Sequence, residues 1–311
     1  MRRYLIHFSL LTLIILFAIA AAPAQTPNSA INHYRNGARK VSKGDLDGAI
    51  EDYTRAIALS SRFGSANDAT NVETKNVRVI DPFTANAYIN RGVVLYRKGD
   101  FAGALTDFNA ALRIRPGLAQ AYLNRAATLR EAGDLKGAVV DLDKAISIDS
   151  KLFEAYSNRG ALKHDLGDLT GAETDFDRAI QLNSHQHEPF YLRGYLRIST
   201  KNFEGALADF NTALKLAPDI AMLFQGRGTV HMHKSRIDEA IADFTRALEL
   251  DKNLVWAYFN RSLALFLKGE DARAQSDVAA CLALRPSLKE DLERRIEIAK
   301  TIRARNATVR D

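Results

Sequence analysis

Residues 119–152 read AQAYLNRAATLREAGDLKGAVVDLDKAISIDSKL and contain the most regular pattern of the chain. In its first half, Tyr122, Ala126 and Leu129 lie four and three residues apart, which places them on one side of an α-helix. Gly133 then breaks the helix, because glycine readily adopts the left-handed turn that ends one. The stretch therefore predicts two helices joined by a tight turn. The apolar stripe of the second helix consists of Leu135, Ala138, Leu142, Ala145 and Ile146.

This pattern occurs seven times along the chain with a period of 34 residues. The one irregular spacing is the 55 residues between Ala49 and Ala104, where about 21 residues are inserted. Small residues at fixed points let two helices approach closely, and stacking such pairs builds one continuous core. One set of these small residues is Ala49, Ala104, Ala138, Ala172, Ala206, Ala240 and Ala274. A second set is Ala56, Ala111, Ala145, Ala179, Ala213, Ala247 and Cys281.

The repeats resemble those of the tetratricopeptide repeat (TPR) family over roughly residues 30–288. A large or aromatic residue stands at repeat position 4 throughout, and the family's Gly-Asp pair at positions 15 and 16 is intact in the first four repeats. The resemblance implies an all-α, right-handed superhelix whose first helices (helix A of each repeat) line a concave, ligand-binding groove. The position-4 residues are His33, Tyr88, Tyr122, Tyr156, Phe190, Phe224 and Tyr258.

The repeat register predicts a single solenoid domain at residues 25–311. A terminal repeat needs a cap, so residues 289–305 are predicted to form a C-terminal cap helix. The polar insert at residues 64–84 is interpreted as a flexible loop, with gating of the groove as the alternative. The predicted repeats are residues 30–63, 85–118, 119–152, 153–186, 187–220, 221–254 and 255–288.

The N-terminus has the pattern of an export signal. Arg2 and Arg3 precede an apolar stretch at residues 8–22, and Ala22-Pro23-Ala24 has the small-residue pattern of a cleavage site. We therefore expect residues 1–24 to be a signal peptide and the mature protein to be periplasmic or secreted. The alternative is an uncleaved inner-membrane anchor formed by residues 5–22.

Composition argues against several functional classes. The net charge of +6 is small and the charges are interspersed, which gives no case for nucleic acid. The sequence contains no recognisable catalytic motif or phosphate-binding glycine loop. His231 and His233 would project in different directions from a helix, and His185 and His187 lack a third ligand. We therefore predict no enzymatic activity, no metal and no cofactor.

Two further repeat positions carry charge. Position 23 is aspartate in every repeat, and position 7 is arginine in all but the first. We interpret them as a structural ion-pair ladder in which each aspartate pairs with the arginine of the following repeat, with Arg295 serving Asp277. The arginines are Arg91, Arg125, Arg159, Arg193, Arg227 and Arg261. The aspartates are Asp52, Asp107, Asp141, Asp175, Asp209, Asp243 and Asp277.

Resemblance to the family places ligand contacts at positions 2, 5, 9, 12 and 13 of helix A. In the last three repeats these positions are mostly apolar or aromatic, which suits a groove for a helix or an extended peptide. The alternative is that the cap helix covers Trp256, Phe259, Phe266 and Leu267. The predicted partner-binding residues are Tyr191, Tyr195, Ile198, Met222, Met232, Trp256 and Phe259.

In repeats two to four the same positions are polar, and position 6 holds Asn90, Asn124, Asn158 and, in the last repeat, Asn260. These asparagines are interpreted as helix-packing groups, with contact to a ligand backbone as the alternative. The carboxylate clamp that some family members carry is absent. The polar groove residues are Asn86, Tyr96, Arg97, Gln120, Arg130, Glu131, Glu154, His164 and Asp165.

Together these features predict a non-enzymatic scaffold that binds a protein or peptide of the bacterial envelope in its groove. One alternative is a homodimer formed through the apolar C-terminal groove, and another is an enzyme built on the scaffold. Contact with a membrane is expected only if the leader is retained.

Overall fold

The computed structural model describes residues 28–66 and 82–308. Within these residues the chain forms fifteen α-helices and one short 3-10 turn, with no strand, so the predicted all-α class is confirmed. It divides into two compact units, one ending at Asp168 and the other beginning at Leu169. The predicted leader and the middle of the insert lie outside the described residues. The prediction of one continuous domain stays a prediction.

The described residues of the first unit form seven helices, of which the first six make three consecutive pairs. Within a pair, helix A packs on helix B (the second helix of the repeat), and each helix B packs on the next helix A. The helices are α1 (Asn28–Ser42), α2 (Leu46–Ala66), α3 (Pro82–Arg97), α4 (Phe101–Ile114), α5 (Ala119–Glu131), α6 (Leu135–Ile148) and α7 (Phe153–Asp165). Helices α2 and α3 extend into the predicted insert from either side, so the insert is shorter than residues 64–84.

The second unit repeats the arrangement. Its helices are α8 (Leu169–Leu182), α9 (His187–Ser199), α10 (Phe203–Leu216), α11 (Ala221–His233), α12 (Ile237–Leu250), α13 (Val255–Lys268), α14 (Asp271–Leu284) and, after a 3-10 turn at Pro286–Leu288, α15 (Lys289–Thr308). The pairs α9–α10, α11–α12 and α13–α14 form the last three repeats. The cap helix predicted at 289–305 is α15.

The turn between the helices of a repeat requires a left-handed residue. Glycine supplies it in five described turns, with φ between 79° and 89°. In the fifth and sixth repeats Lys201 and Ser235 adopt φ values of 61° and 56° instead. The aspartate after the glycine starts helix B, since the Asp134 carboxylate accepts a hydrogen bond from the Gly137 amide at 2.8 Å. The Gly-Asp pair therefore ends one helix and caps the next.

Small residues on helix A make room for the ring at position 24 of helix B. Phe210 is fully buried between Gly194 of its own repeat and Gly226 of the next. A Cβ at Gly194 would lie 3.0 Å from the Phe210 ring, and one at Gly226 would lie 2.3 Å from it. This close approach explains why the repeat keeps small residues at fixed positions.

The ion pairs form within repeats, so the predicted pairing between repeats was wrong. Position 7 of helix A pairs with position 23 of helix B through two hydrogen bonds of 2.6–3.0 Å. The two positions are equally far from the turn at position 15, and antiparallel helices bring such residues face to face. The pairs are Arg91–Asp107, Arg125–Asp141, Arg193–Asp209, Arg227–Asp243 and Arg261–Asp277.

The ends of the array differ from its middle. In the first repeat, Asp52 pairs with His33 and Lys40, each at 2.8 Å. Burial alone would raise the pKa of Asp52, but its hydrogen bonds with Lys40 and His33 hold that pKa below its ordinary value. Arg295 pairs with Asp291 of its own helix at 3.0 Å and not with Asp277.

The link between repeats runs through a position that the sequence analysis did not single out. The remaining nitrogen of each arginine, Nη1, bonds a polar side chain at position 25 of the preceding repeat, at 2.5–3.0 Å. The last repeat, which no further repeat follows, has Ala279 there. The position-25 partners are Thr54, Asn109, Asp143, Asp177, Asn211 and Thr245.

Candidate functional site

Three of the seven partner-binding residues predicted in the second unit are buried. Tyr191 and Phe259 are each 2% exposed, and Ile198 is 8% exposed. Side chains this deeply buried belong to the core. The prediction that these three face a partner in an open groove is therefore wrong. Met222, Met232, Trp256 and Tyr195 are half-buried.

The two tyrosines of α9, Tyr191 and Tyr195, pack against side chains of their own unit. Their rings meet edge to face at 4.9 Å, and the Tyr195 ring lies 5.3 Å from Phe210. The Gln225 amide donates a hydrogen bond to the Tyr195 hydroxyl at 3.5 Å. Burial raises the pKa of Tyr195 to about 12 and that of Tyr191 well above its ordinary value. Both rings remain neutral packing groups at physiological pH.

The C-terminal part of the predicted groove is covered by α15. Leu292, Ile296 and Ala299 join one buried cluster with Phe259 and Phe266, and Met232 and Trp256 pack at its edge. The alternative in which the cap helix covers these residues is therefore the one the structure shows. The proposed homodimer would need the same residues, which α15 already occupies. Cys281 lies in this cluster, fully buried and without a disulfide partner.

The A helices of the first unit present a different surface. Helices α3, α5 and α7 carry polar side chains whose buried atoms have no hydrogen-bond partner among the described residues. A buried polar atom is normally satisfied, and leaving one unsatisfied costs about 1–3 kcal/mol. Among the described residues of the second unit, Nδ1 of His231 is the one comparable group. In the first unit the atoms include Asn86 Oδ1, Asn90 Oδ1, Asn124 Nδ2, Ser157 Oγ and His164 Nδ1.

These groups differ in how close they lie to the surface. Asn90 is 1% exposed and donates to the Tyr34 hydroxyl at 2.8 Å, so it is chiefly a packing group. Asn124 is half-buried, and its oxygen accepts from Gln120 at 3.3 Å, which leaves its amide hydrogens for another acceptor. His164 is also half-buried, and its Nδ1 lies 3.7 Å from the Asp165 carboxylate, too far for a hydrogen bond.

Charged side chains border the polar groups. Arg130 pairs with Glu131 at 3.1 Å. Burial, followed by the nearby charge of Glu131, raises the pKa of Tyr96 to about 12. Burial also raises the pKa of Glu154 in the first turn of α7. A small cleft between α5, α6 and α7 is lined by Arg130 and Asn158. We call this surface, on helices α3, α5 and α7, the polar face.

The remaining features concern metal binding, histidine environments and membrane insertion in the part of the chain that the structure describes. No group of three His, Cys, Asp or Glu side chains there is arranged to hold a metal ion. His233 stacks on Phe203 at 4.9 Å, and burial lowers the pKa of His187. Across residues 28–66 and 82–308, no helix combines the length and apolar character needed to cross a membrane.

Comparisons with known proteins agree with this architecture. Tetratricopeptide repeat models match residues 85–118, 153–186 and 191–255, and a TPR repeat model matches residues 126–167. With the helix pairs described above, these matches show that the chain belongs to the tetratricopeptide repeat family. No curated protein matches the chain.

Among solved structures, a tetratricopeptide repeat protein from Parabacteroides merdae is similar, with a TM-score of 0.63 and 22% identity over 87% of this chain and 98% of that one. A chain of the APC/C hetero-tetramer Cut9–Hcn1 has a TM-score of 0.63 and 15% identity, over 84% of this chain and 58% of that one. A TPR protein of Thermus thermophilus has a TM-score of 0.50 and 22% identity, over 58% of this chain and 98% of that one. These similarities concern the fold.

Proposed function

We propose that the protein is a non-enzymatic scaffold that binds a protein or peptide segment on the polar face of the first unit. The observation that carries the proposal is the group of unsatisfied buried polar atoms on α3, α5 and α7. A peptide backbone carries alternating donors and acceptors, and side-chain amides such as those of Asn86 and Asn124 can pair with either. The helix-pair fold, typical of interaction scaffolds, supports the same reading.

The surroundings favour a polar ligand. Arg130, Glu131 and Asp165 place both signs of charge on this face. Small residues such as Ala127 and Ala161 on the same helices leave room for a chain to approach. A segment bound here would make backbone hydrogen bonds and few apolar contacts.

We further propose that this binding takes place in the bacterial envelope. The proposal rests on the export-type sequence of residues 1–24. Edman sequencing of the native protein tests it, since cleavage predicts Gln25 as the first residue. An N-terminus at Met1 on a membrane-bound protein would favour the anchor instead.

Site-specific photo-crosslinking tests the binding proposal. A photoreactive residue in place of Gln120, on the polar face, is expected to give a discrete adduct in the native host. The matched control replaces Lys144, an exposed residue of α6 in the same repeat. Equal labelling at both positions, or an adduct from Lys144 alone, would contradict the proposal.

A further inference from the structure

The C-terminal helix occupies an unusual place in the second unit. Earlier in this unit, helix A of each repeat packs on helix B of the preceding one, as α11 does on α10 and α13 on α12. Helix α15 instead packs mainly on α13, the helix A of the last repeat. It therefore lies on the side of α13 where the family resemblance places ligand contacts.

The contacts of α15 are those of a bound amphipathic helix. Leu292, Ile296 and Ala299 are 0%, 8% and 4% exposed, and they pack in one cluster with Phe259 and Phe266. These phenylalanines hold positions 5 and 12 of the repeat. The docked face of α15 thus repeats at i, i+4 and i+7, the spacing with which a helix fills a groove.

Basic side chains complete the docking. The Arg295 guanidinium lies 5.7 Å from the centre of the Phe259 ring, and the Lys300 ammonium lies 5.6 Å from that of Phe266. Arg303 donates to the Asp271 carboxylate at 2.5 Å and to the Phe266 carbonyl oxygen at 3.2 Å. Residues of α15 at i+3, i+8 and i+11 from Leu292 thereby fix its position along α13, and Arg303 also ties it to Asp271 at the start of α14.

This docking is one-sided. Beyond the Arg303–Asp271 pair, an open cleft of about 620 Å³ lies between α15 and α14, with Gln275 and Val278 on one wall and Glu293 and Glu297 on the other. The outer face of α15 is exposed to water, including Ile298 at 54%. A helix held along one face can leave without opening the core between α13 and α14.

We propose that α15 is a built-in, displaceable occupant of α13, and that the same face of α13 binds an amphipathic helix of a partner protein. The partner helix carries large aliphatic residues at i and i+4, a small residue at i+7, an arginine at i+11 and cations at i+3 and i+8. The site lies in the second unit and does not depend on the polar face. A partner gains access to it by competing with α15.

A peptide with the sequence of residues 286–308, labelled with a fluorophore, is the probe. Fluorescence anisotropy measures its binding to the full chain and to the Ile296→Ala variant, whose own α15 is held less tightly. We expect the peptide to bind this variant at least tenfold more tightly than wild type. Ile298→Ala, on the exposed side of the same helix, is the matched control and should behave like wild type.

A peptide with Leu292→Asp should not bind any of these proteins. Equal binding to wild type and Ile296→Ala, absence of binding to both, or equal binding of the Leu292→Asp peptide would overturn the proposal. If hydrogen exchange shows that Ile296→Ala unfolds α13, Arg303→Ala replaces it, because that change removes only the contacts with Asp271 and Phe266. With Arg303→Ala in its place, the same three outcomes would overturn the proposal.

Discussion

At the scale of single residues, the arginine at position 7 joins three helices. Its Nε and Nη2 hold the aspartate of its own helix B, while its Nη1 holds position 25 of the preceding repeat. The guanidinium also lies 5.4 Å from the centre of the Tyr122 ring in the case of Arg125. One side chain therefore sets both the pairing of helices within a repeat and the register between repeats.

Arg125→Leu should destabilise the first unit by about 2–4 kcal/mol. The change leaves the Asp141 carboxylate, 4% exposed, without the cation that compensates its burial. Urea unfolding followed by circular dichroism measures the loss. Arg55→Leu is the control, because Arg55 is an exposed residue whose 3.9 Å pair with Glu51 should contribute less than about 1 kcal/mol. Equal unfolding midpoints for the two variants would refute this account of the pair.

The sequence revealed only part of this ion-pair arrangement. The periodicity of the arginines and aspartates was visible, but periodicity does not say which helix faces which. The correct pairing follows from the antiparallel packing about Gly133 and its equivalents, a geometric fact. The polar residues at position 25, such as Asn109 and Asp143, were a usable signal, because the last repeat alone has alanine there.

At the scale of the element, the turn inside each repeat depends on a left-handed residue. Lys201 adopts φ 61° where five other repeats have glycine, and a side chain in that conformation is strained. Lys201→Gly should therefore stabilise the second unit by about 0.5–1 kcal/mol, after allowing for the greater freedom of glycine in the unfolded chain. The urea midpoint should rise.

Lys215→Gly is the control for this prediction. Lys215 is exposed in the last turn of α10, where glycine should cost up to about 1 kcal/mol. If both glycine variants lowered the midpoint, the strain assigned to Lys201 would be disproved.

The attachment of α15 should depend on pH. The hydrogen bond from Arg303 is the main cause that holds the pKa of Asp271 below its ordinary value. A carboxylate whose pKa is depressed on folding stabilises the fold above its unfolded pKa of about 3.9, and the contribution is lost as the pH falls through the depressed value. Arg303→Ala should therefore melt below wild type at pH 6, with the gap closing at acid pH.

The control for the pH prediction is Lys289→Ala, at an exposed residue at the start of α15. Its melting temperature should follow that of wild type at every pH. A gap between Arg303→Ala and wild type that stayed constant from pH 6 to pH 2 would show that the Asp271 charge does not hold the helix.

At the scale of the whole molecule, the sequence predicted the helix pairs and the family but misjudged which face was open. Aromatic and methionine residues of repeats five to seven looked like an exposed groove, because a one-dimensional pattern does not distinguish a ligand-contact position from one that the chain covers itself. The packing of α15 on α13 and the contact of Gln225 with Tyr195 are tertiary contacts, which the repeat pattern does not show. The polar residues of repeats two to four could be identified from the sequence. That some of their buried atoms lack a hydrogen-bond partner could be seen only in the structure.

We expect the partner to bind the polar face of the first unit. Two variants at the same repeat position, Asn124→Leu in α5 and Asn260→Leu in α13, test this claim. Calorimetry measures their affinity for the crosslinked partner, and circular dichroism confirms that they fold. We predict that Asn124→Leu weakens binding about tenfold, as expected for the loss of one buried hydrogen bond of about 1.4 kcal/mol, while Asn260→Leu does not. Unchanged affinity for Asn124→Leu, or an equal loss for both variants, would contradict the claim.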